Sequence, residues 1–249
     1  MKITHILYIM TMNTRSLRNL LTIVIPSKNE GKILYDCIYH ISEQFHIAGV
    51  RVIIADVSDE FESLNYIERI RVDFKYNLKI TVIEGGYPAQ GRLNGSKLVN
   101  TPYVLFLDAD VFLTTQNTLI ECLEYDKDLI TVPFYTDKPY RWVFRVFDLF
   151  QSLSTYMGTP FAVGGFQLWK TDTYWEVGGY NPQELFAEDY SISQKVHKDN
   201  FKVHKTKGTY TSSRRFKSKG VLWMFYIMIK SYINRKNPDF FKHHHNYWN

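Results

Sequence analysis

The chain has 249 residues, 45% hydrophobic and 22% charged, an ordinary globular balance with room for one large core. Two cysteines, Cys37 and Cys122, imply no disulfide scaffold and make a reducing, cytoplasmic compartment the expected one. A net charge of +5 suits an anionic partner, but no zinc-finger spacing or arginine-rich tail accompanies it, which weighs against nucleic acid, while an aromatic content of 16% suits sugar or lipid surfaces.

Residues 1–20 read as an extension: the apolar stretch 6–10 has no small-residue cleavage site after it, and Met12 is an alternative start. Residues 21–25 form a β-branched run closed by Pro26, a strand entering a loop. Residues 30–45 carry Ile33, Leu34, Cys37, Ile38 and Ile41 at helical spacing. A strand over 50–57 ends at Asp56 and Asp59. A helix over 61–74 and a strand over 78–83 follow, then the turn Glu84-Gly85-Gly86, a helix over 91–100 and a strand over 103–107. This β-α-β-α order predicts an α/β fold, a mostly parallel sheet with helices on both faces, whose ligands bind beyond the carboxyl ends of the strands. Residues 26–30, 56–59 and 108–110 fall there.

Beyond residue 110 the pattern predicts a helix over 118–123, a strand over 129–134, an aromatic amphipathic helix over 142–156, a strand within 161–170 and a helix over 188–198. Residues 195–219 are rich in Lys, Arg and His, and His243-His244-His245 reads as a frayed tail. The apolar run 221–233, flanked by basic residues, is shorter than the ~20 residues a spanning helix needs. It either lies in a membrane interface, together with 142–150, or packs on the body of the protein.

Asp108-Ala109-Asp110 closes the apolar run 103–107. Along a strand, carboxylates at i and i+2 point the same way, and two hard oxygen ligands suit Mg²⁺ or Mn²⁺ with open positions for water and phosphate oxygens. The plain alternative is a solvated turn.

Six elements in order resemble a family-2 glycosyltransferase of the GT-A fold, over residues 21–215: Ile25-Pro26-Ser27-Lys28-Asn29-Glu30, Asp56-Val57-Ser58-Asp59, Gly91-Arg92-Leu93-Asn94-Gly95, Leu107-Asp108-Ala109-Asp110, Gly164-Gly165-Phe166 with Val177-Gly178-Gly179-Tyr180, and Ala187-Glu188-Asp189. Lys28 stands where the family often has Tyr or Phe, and the acidic second motif is shortened and lacks its Gly. Residues 216–249 remain as a C-terminal amphipathic helix and tail.

The resemblance implies an inverting, metal-dependent transfer of a sugar from a nucleotide-diphosphate donor, a UDP-sugar foremost, to an acceptor hydroxyl. Pro26, Glu30 and Asp56 would surround base and ribose; Arg92 would present its planar fork to a phosphate or nucleobase. Asp110 would make the closer contact to Mn²⁺ or Mg²⁺, with Asp108 nearer ribose and sugar, and His204 would complete the metal shell. Gly165 would floor the sugar site, with Trp169 and Trp175 either stacking on sugars or packing the core. Arg214 and Arg215 would clamp the diphosphate. Asp189 would act as general base, with Glu188 as the alternative, although acids at a helix start are also favoured by the dipole. Attachment to the cytoplasmic face of a membrane would make the acceptor lipid-linked or part of a surface glycan. A nucleotidyltransferase and a non-catalytic nucleotide-sugar or membrane-binding module are the rival readings. The first wants a Gly-rich loop after its first strand, which residues 26–30 do not supply.

Overall fold

The computed structural model describes residues 16–245 and Tyr247, so the expectations for the extension before residue 16 and for Met12 as a start lie outside the described residues. The first half alternates β1 (Leu21–Ser27), α1 (Lys32–Ser42), β2 (Val50–Asp56), α2 (Phe61–Asp73), β3 (Leu78–Glu84), α3 (Pro88–Ser96) and β4 (Tyr103–Leu107). Then come β5 (Val111–Leu113), α4 (Thr118–Leu123), β6 (Leu129–Thr131), α5 (Arg141–Ser154), β7 (Phe166–Lys170), α6 (Thr171–Glu176), α7 (Glu188–Ser193), β8 (Phe201–Val203) and β9 (Thr209–Thr211). The chain closes with α8 (Arg214–Lys219), α9 (Val221–Ile233) and α10 (Pro238–Phe241).

The main sheet has seven strands in the order β3-β2-β1-β4-β7-β6-β8, and β5 pairs with β9 in a small antiparallel sheet. β7 runs against both its neighbours, so six strands point one way and one the other. The central strands are buried on both faces, which is why they read as continuous apolar runs rather than as alternation. Leu21, Ile23 and Ile25 of β1 pack with α1, α2 and α4 in one core, and Val24 packs with Phe106, Trp169, Tyr174 and Tyr180 in the other. Trp169 is therefore core, whereas Trp175 is partly exposed. Cys37 and Cys122 are both free and buried.

Several predicted elements stop short of their sequence patterns. The strand expected over 129–134 ends at Thr131, because Pro133 removes a ladder donor, although Val132 and Phe134 stay in the core. The helix expected over 91–100 begins earlier, with Pro88 in its first turn, and ends at Ser96. The helix expected over 188–198 ends at Ser193, whose one hydroxyl proton is shared between the carbonyls of Tyr190 and Pro160, each 3.3 Å away.

Candidate functional site

The carboxyl ends of β1, β2 and β4 lie side by side, Ser27 level with Asp56 and Val24 level with Phe106. The loops that leave β1 and β2 are laced together. Asn29, in the left-handed region at φ 53°, donates from Nδ2 to Asp59 at 2.7 Å and accepts from the Asp59 and Glu60 N–H groups at 3.0 and 3.2 Å. Asp56 accepts from the Ser58 N–H at 2.9 Å and the Ser58 hydroxyl at 2.8 Å, which holds its carboxylate at the strand end, level with Ser27. Asn94 donates to the carbonyls of Glu84 and Gly85 at 3.1 and 3.4 Å, and so ties the β3–α3 turn.

β4 ends at Leu107, and the Val111 N–H closes a turn onto the Asp108 carbonyl at 3.1 Å. The two acids therefore occupy a turn rather than a strand, and the strand-alternation argument for their common direction does not hold. Asp108 faces inward to Arg92 at 2.6 Å; Asp110 faces Arg214 at 3.3 Å. Arg92, on α3, is only 2% exposed. It bridges Asp108 to Glu188, at 2.5 Å, and lies 5.2 Å from the centre of the Tyr180 ring. This corrects the expectation for Arg92: both terminal nitrogens are spent on protein carboxylates, so the side chain is an internal counterion beneath the site, not a fork offered to a phosphate. Glu188 is likewise spoken for, being buried and paired to Arg92.

Asp189 is oriented from two sides. Its Oδ2 accepts from the Gly164 N–H at 2.6 Å and its Oδ1 from the Tyr190 N–H at 2.8 Å. The preceding Ala187 holds φ 48°, ψ 35°, a left-handed conformation costing a non-glycine residue about 1 kcal/mol or more. Gly164 permits the approach, since a Cβ there would sit 2.9 Å from Arg92 Nη2 and 3.2 Å from the Asp189 carboxyl. Gly165 accepts from the Asp108 N–H at 3.2 Å, and a Cβ on it would meet Phe134 at 2.9 Å. Burial first, then the charge of Glu188, raises the Asp189 carboxyl to about 7 against the pull of Arg92 and the two backbone donors.

Arg214, at the start of α8, joins the cluster from the far end of the chain, donating to Glu30 at 2.8 Å and to Asp110 at 3.3 Å. Arg215 donates to the Tyr247 hydroxyl and lies 4.5 Å from the centre of that ring. Burial raises the Tyr247 phenol, Arg215 lowers it, and Asp189 and Glu188 raise it again, so the tail reaches the acidic cluster. No sequence motif marked Tyr247; its one signal is an aromatic residue at the end of a basic C-terminal segment.

His204 belongs elsewhere. Its Nε2 is 2.9 Å from Glu121 and its Nδ1 is 3.2 Å from the Tyr125 hydroxyl, so both ring nitrogens are engaged away from Asp110, which corrects its expected place in a metal shell. No group of three or more His, Cys, Asp or Glu fit to hold a metal occurs among the described residues. What does gather is negative charge: burial, Asp108 and Glu30 raise the Asp110 carboxyl to about 6 despite Arg214 and Arg215. Asp110, raised in spite of Arg214 and Arg215, is the carboxylate of the pair that suits a hard cation, which would take its remaining ligands from water and phosphate.

The family model "Glycosyl transferase family 2" matches residues 22–178. No curated protein matches the sequence. Among solved structures, the mannosyltransferase PcManGT from Pyrobaculum calidifontis, in complex with GDP-Man and Mn²⁺, superposes with a TM-score of 0.62 at 14% identity, over 91% of this chain and 72% of its own. S. aureus TarS superposes at 0.56 and 18% identity, over 84% of this chain and 39% of its own; TarS 1–349 with UDP-GlcNAc gives 0.59, 21%, 78% and 59%. The chain spans less than two-thirds of the length of these TarS proteins. At such identities the likeness is one of fold, and it agrees with the GT-A architecture implied by the motif order.

Proposed function

We propose that this chain, which belongs to glycosyl transferase family 2, moves a sugar from a nucleotide-diphosphate donor, a UDP-sugar foremost, to an acceptor hydroxyl with inversion at the anomeric carbon. The observation that carries this is Asp189: a carboxylate held by two backbone donors, raised to about 7, at the edge of the strand-end acids. A base needs to be unprotonated yet basic at working pH, and a value near 7 meets both demands.

Asp189 takes the acceptor proton at Oδ as the hydroxyl oxygen attacks. Arg92 pairs with Glu188 and holds it beside Asp189, where its charge, after burial, raises the Asp189 carboxyl and sustains its basicity. Pro26 and Asp56 at the ends of β1 and β2, with Glu30 on the loop that Asn29 fastens, would surround base and ribose. Arg214 and Arg215 face the acids from above and would take up a diphosphate's charge once it arrives. Asp110, with Asp108, would hold Mn²⁺ or Mg²⁺, which supplies charge neutralisation to the departing nucleotide diphosphate.

The deciding experiment follows donor consumption by NMR with UDP-, GDP- and CMP-sugars, each with and without Mn²⁺. The expected result is a metal-dependent turnover of a UDP-sugar with inverted product configuration, abolished in Asp189→Asn. Retained configuration, or a turnover indifferent to Asp189, overturns the reading.

A further inference from the structure

α5 and α9 each carry an apolar stripe that faces water. In α5 the stripe is Trp142, Leu149 and Leu153, and in α9 it is Leu222, Ile229 and Ile233; the spacings i, i+7, i+11 keep each set on one side of its helix. That spacing ordinarily marks the side turned to a core. Here Leu149 is 56% exposed, Leu222 86% and Ile233 69%, while Val143 of α5 and Met224 and Ile227 of α9 supply the buried sides. The two stripes adjoin, because Phe225 of α9 stacks on Trp142 and Phe147 of α5 with ring centres 6.4 and 5.6 Å apart. They form one band.

The charge around that band is mainly positive. Between Arg214 and Lys236 there are seven Lys and Arg and no Asp or Glu. Arg141 and Arg145 are exposed on α5, whose one acid, Asp148, is held by Lys205. No helix among the described residues is long and apolar enough to cross a membrane. An exposed apolar band with a mainly basic rim has the chemistry of a helix pair lying in the headgroup region of an anionic bilayer. A second copy of the chain would bring two basic rims together, and charge therefore favours lipid.

We infer that the α5–α9 face docks on the surface of an anionic phospholipid bilayer. α5 leads through residues 155–163 to Gly164, which holds Asp189, and α8, just before α9, places Arg214 on Asp110. On the transferase reading, from which the docking itself is separable, the bilayer plane then lies on the acceptor side and the acceptor hydroxyl belongs to a lipid-borne molecule.

The test is flotation of the full chain with vesicles of phosphatidylcholine alone or with about one-third phosphatidylglycerol. The protein should float with the anionic vesicles, less with the neutral ones, and less again as salt rises. Leu222→Ser combined with Ile229→Ser, both exposed, should lower partitioning at least roughly tenfold with an unchanged melting temperature. Arg141→Glu with Lys236→Glu should remove the preference for anionic vesicles. UDP binding, measured separately on each variant, should stay as in the parent, so that a failure of docking and a failure of the transferase reading are told apart. Failure of the parent to float with either vesicle overturns the inference, as does equal flotation of the serine variant. A concentration-dependent dimer that the serine substitutions dissolve would assign the band to a second copy and overturn it too.

Discussion

Arg92 has no route to water and two carboxylates to serve. Cutting it to Ala leaves the buried Glu188 without its cation, a loss worth about 3–5 kcal/mol for a broken buried pair, while Asp108, a third exposed, can turn to water. Thermal unfolding should show it, and a loss below ~1 kcal/mol would mean that water takes over the role. Asp189 acts at the same scale but on rate. Asp189→Asn should cut turnover by about 10²–10⁴ with donor affinity nearly unchanged. In the parent, kcat/KM should climb with pH through about 7, as the carboxyl loses its proton, and that limb should vanish in the variant. The sign for stability is the reverse. A carboxyl raised from about 4 in the unfolded chain to about 7 in the folded one is favoured protonated; its stabilising contribution is complete below about 4 and is lost as pH rises through 7. The stability of Asp189→Asn should therefore change less with pH across that window than the parent's does.

At the level of elements, glycine decides how closely α3 lies on the sheet. A Cβ on Gly95 would stand 2.3 Å from Val24 Cγ1, and Val24 is buried in the centre of β1 with nowhere to turn. Gly95→Ala should cost about 1–3 kcal/mol through overpacking, read as a lower urea midpoint at constant m. An unchanged midpoint would show that α3 can rise off the sheet. Because α3 also carries Arg92, the same substitution should reduce turnover more than its stability loss accounts for. The Gly-Arg-Leu-Asn-Gly run thus records a packing requirement as well as a charge, and only the first of these is visible in the spacing of its glycines.

For the molecule as a whole, the C-terminal segment is bound into the site end. Phe241 accepts from the Leu185 and Phe186 N–H groups at 2.9 and 3.2 Å, and Phe240 and Phe241 pack with Phe186 and Tyr190 on either side of Glu188-Asp189. Removing residues 238–249 should lower the melting temperature and reduce turnover together, and a truncated chain as stable and active as the parent would make the tail dispensable. Much of this protein was decided locally. Continuous β-branched runs, helical spacing and punctuation by Pro and Gly determined the alternating first half and put residues 26–30, 56–59 and 108–110 at strand ends, since a strand buried on both faces must be apolar throughout and polar where it leaves the sheet. Spacing also marked α5 as amphipathic, and the run at α9 stood out as apolar with basic flanks, but neither told which way their stripes would face. The pairing of Arg92 with Glu188, 96 residues away, the reach of Arg214 to Glu30 across 184, and the diversion of His204 to Glu121 belong to tertiary structure alone. Each depends on which surfaces the sheet order brings together, and a side chain's partner across such distances is set by packing that no local pattern encodes.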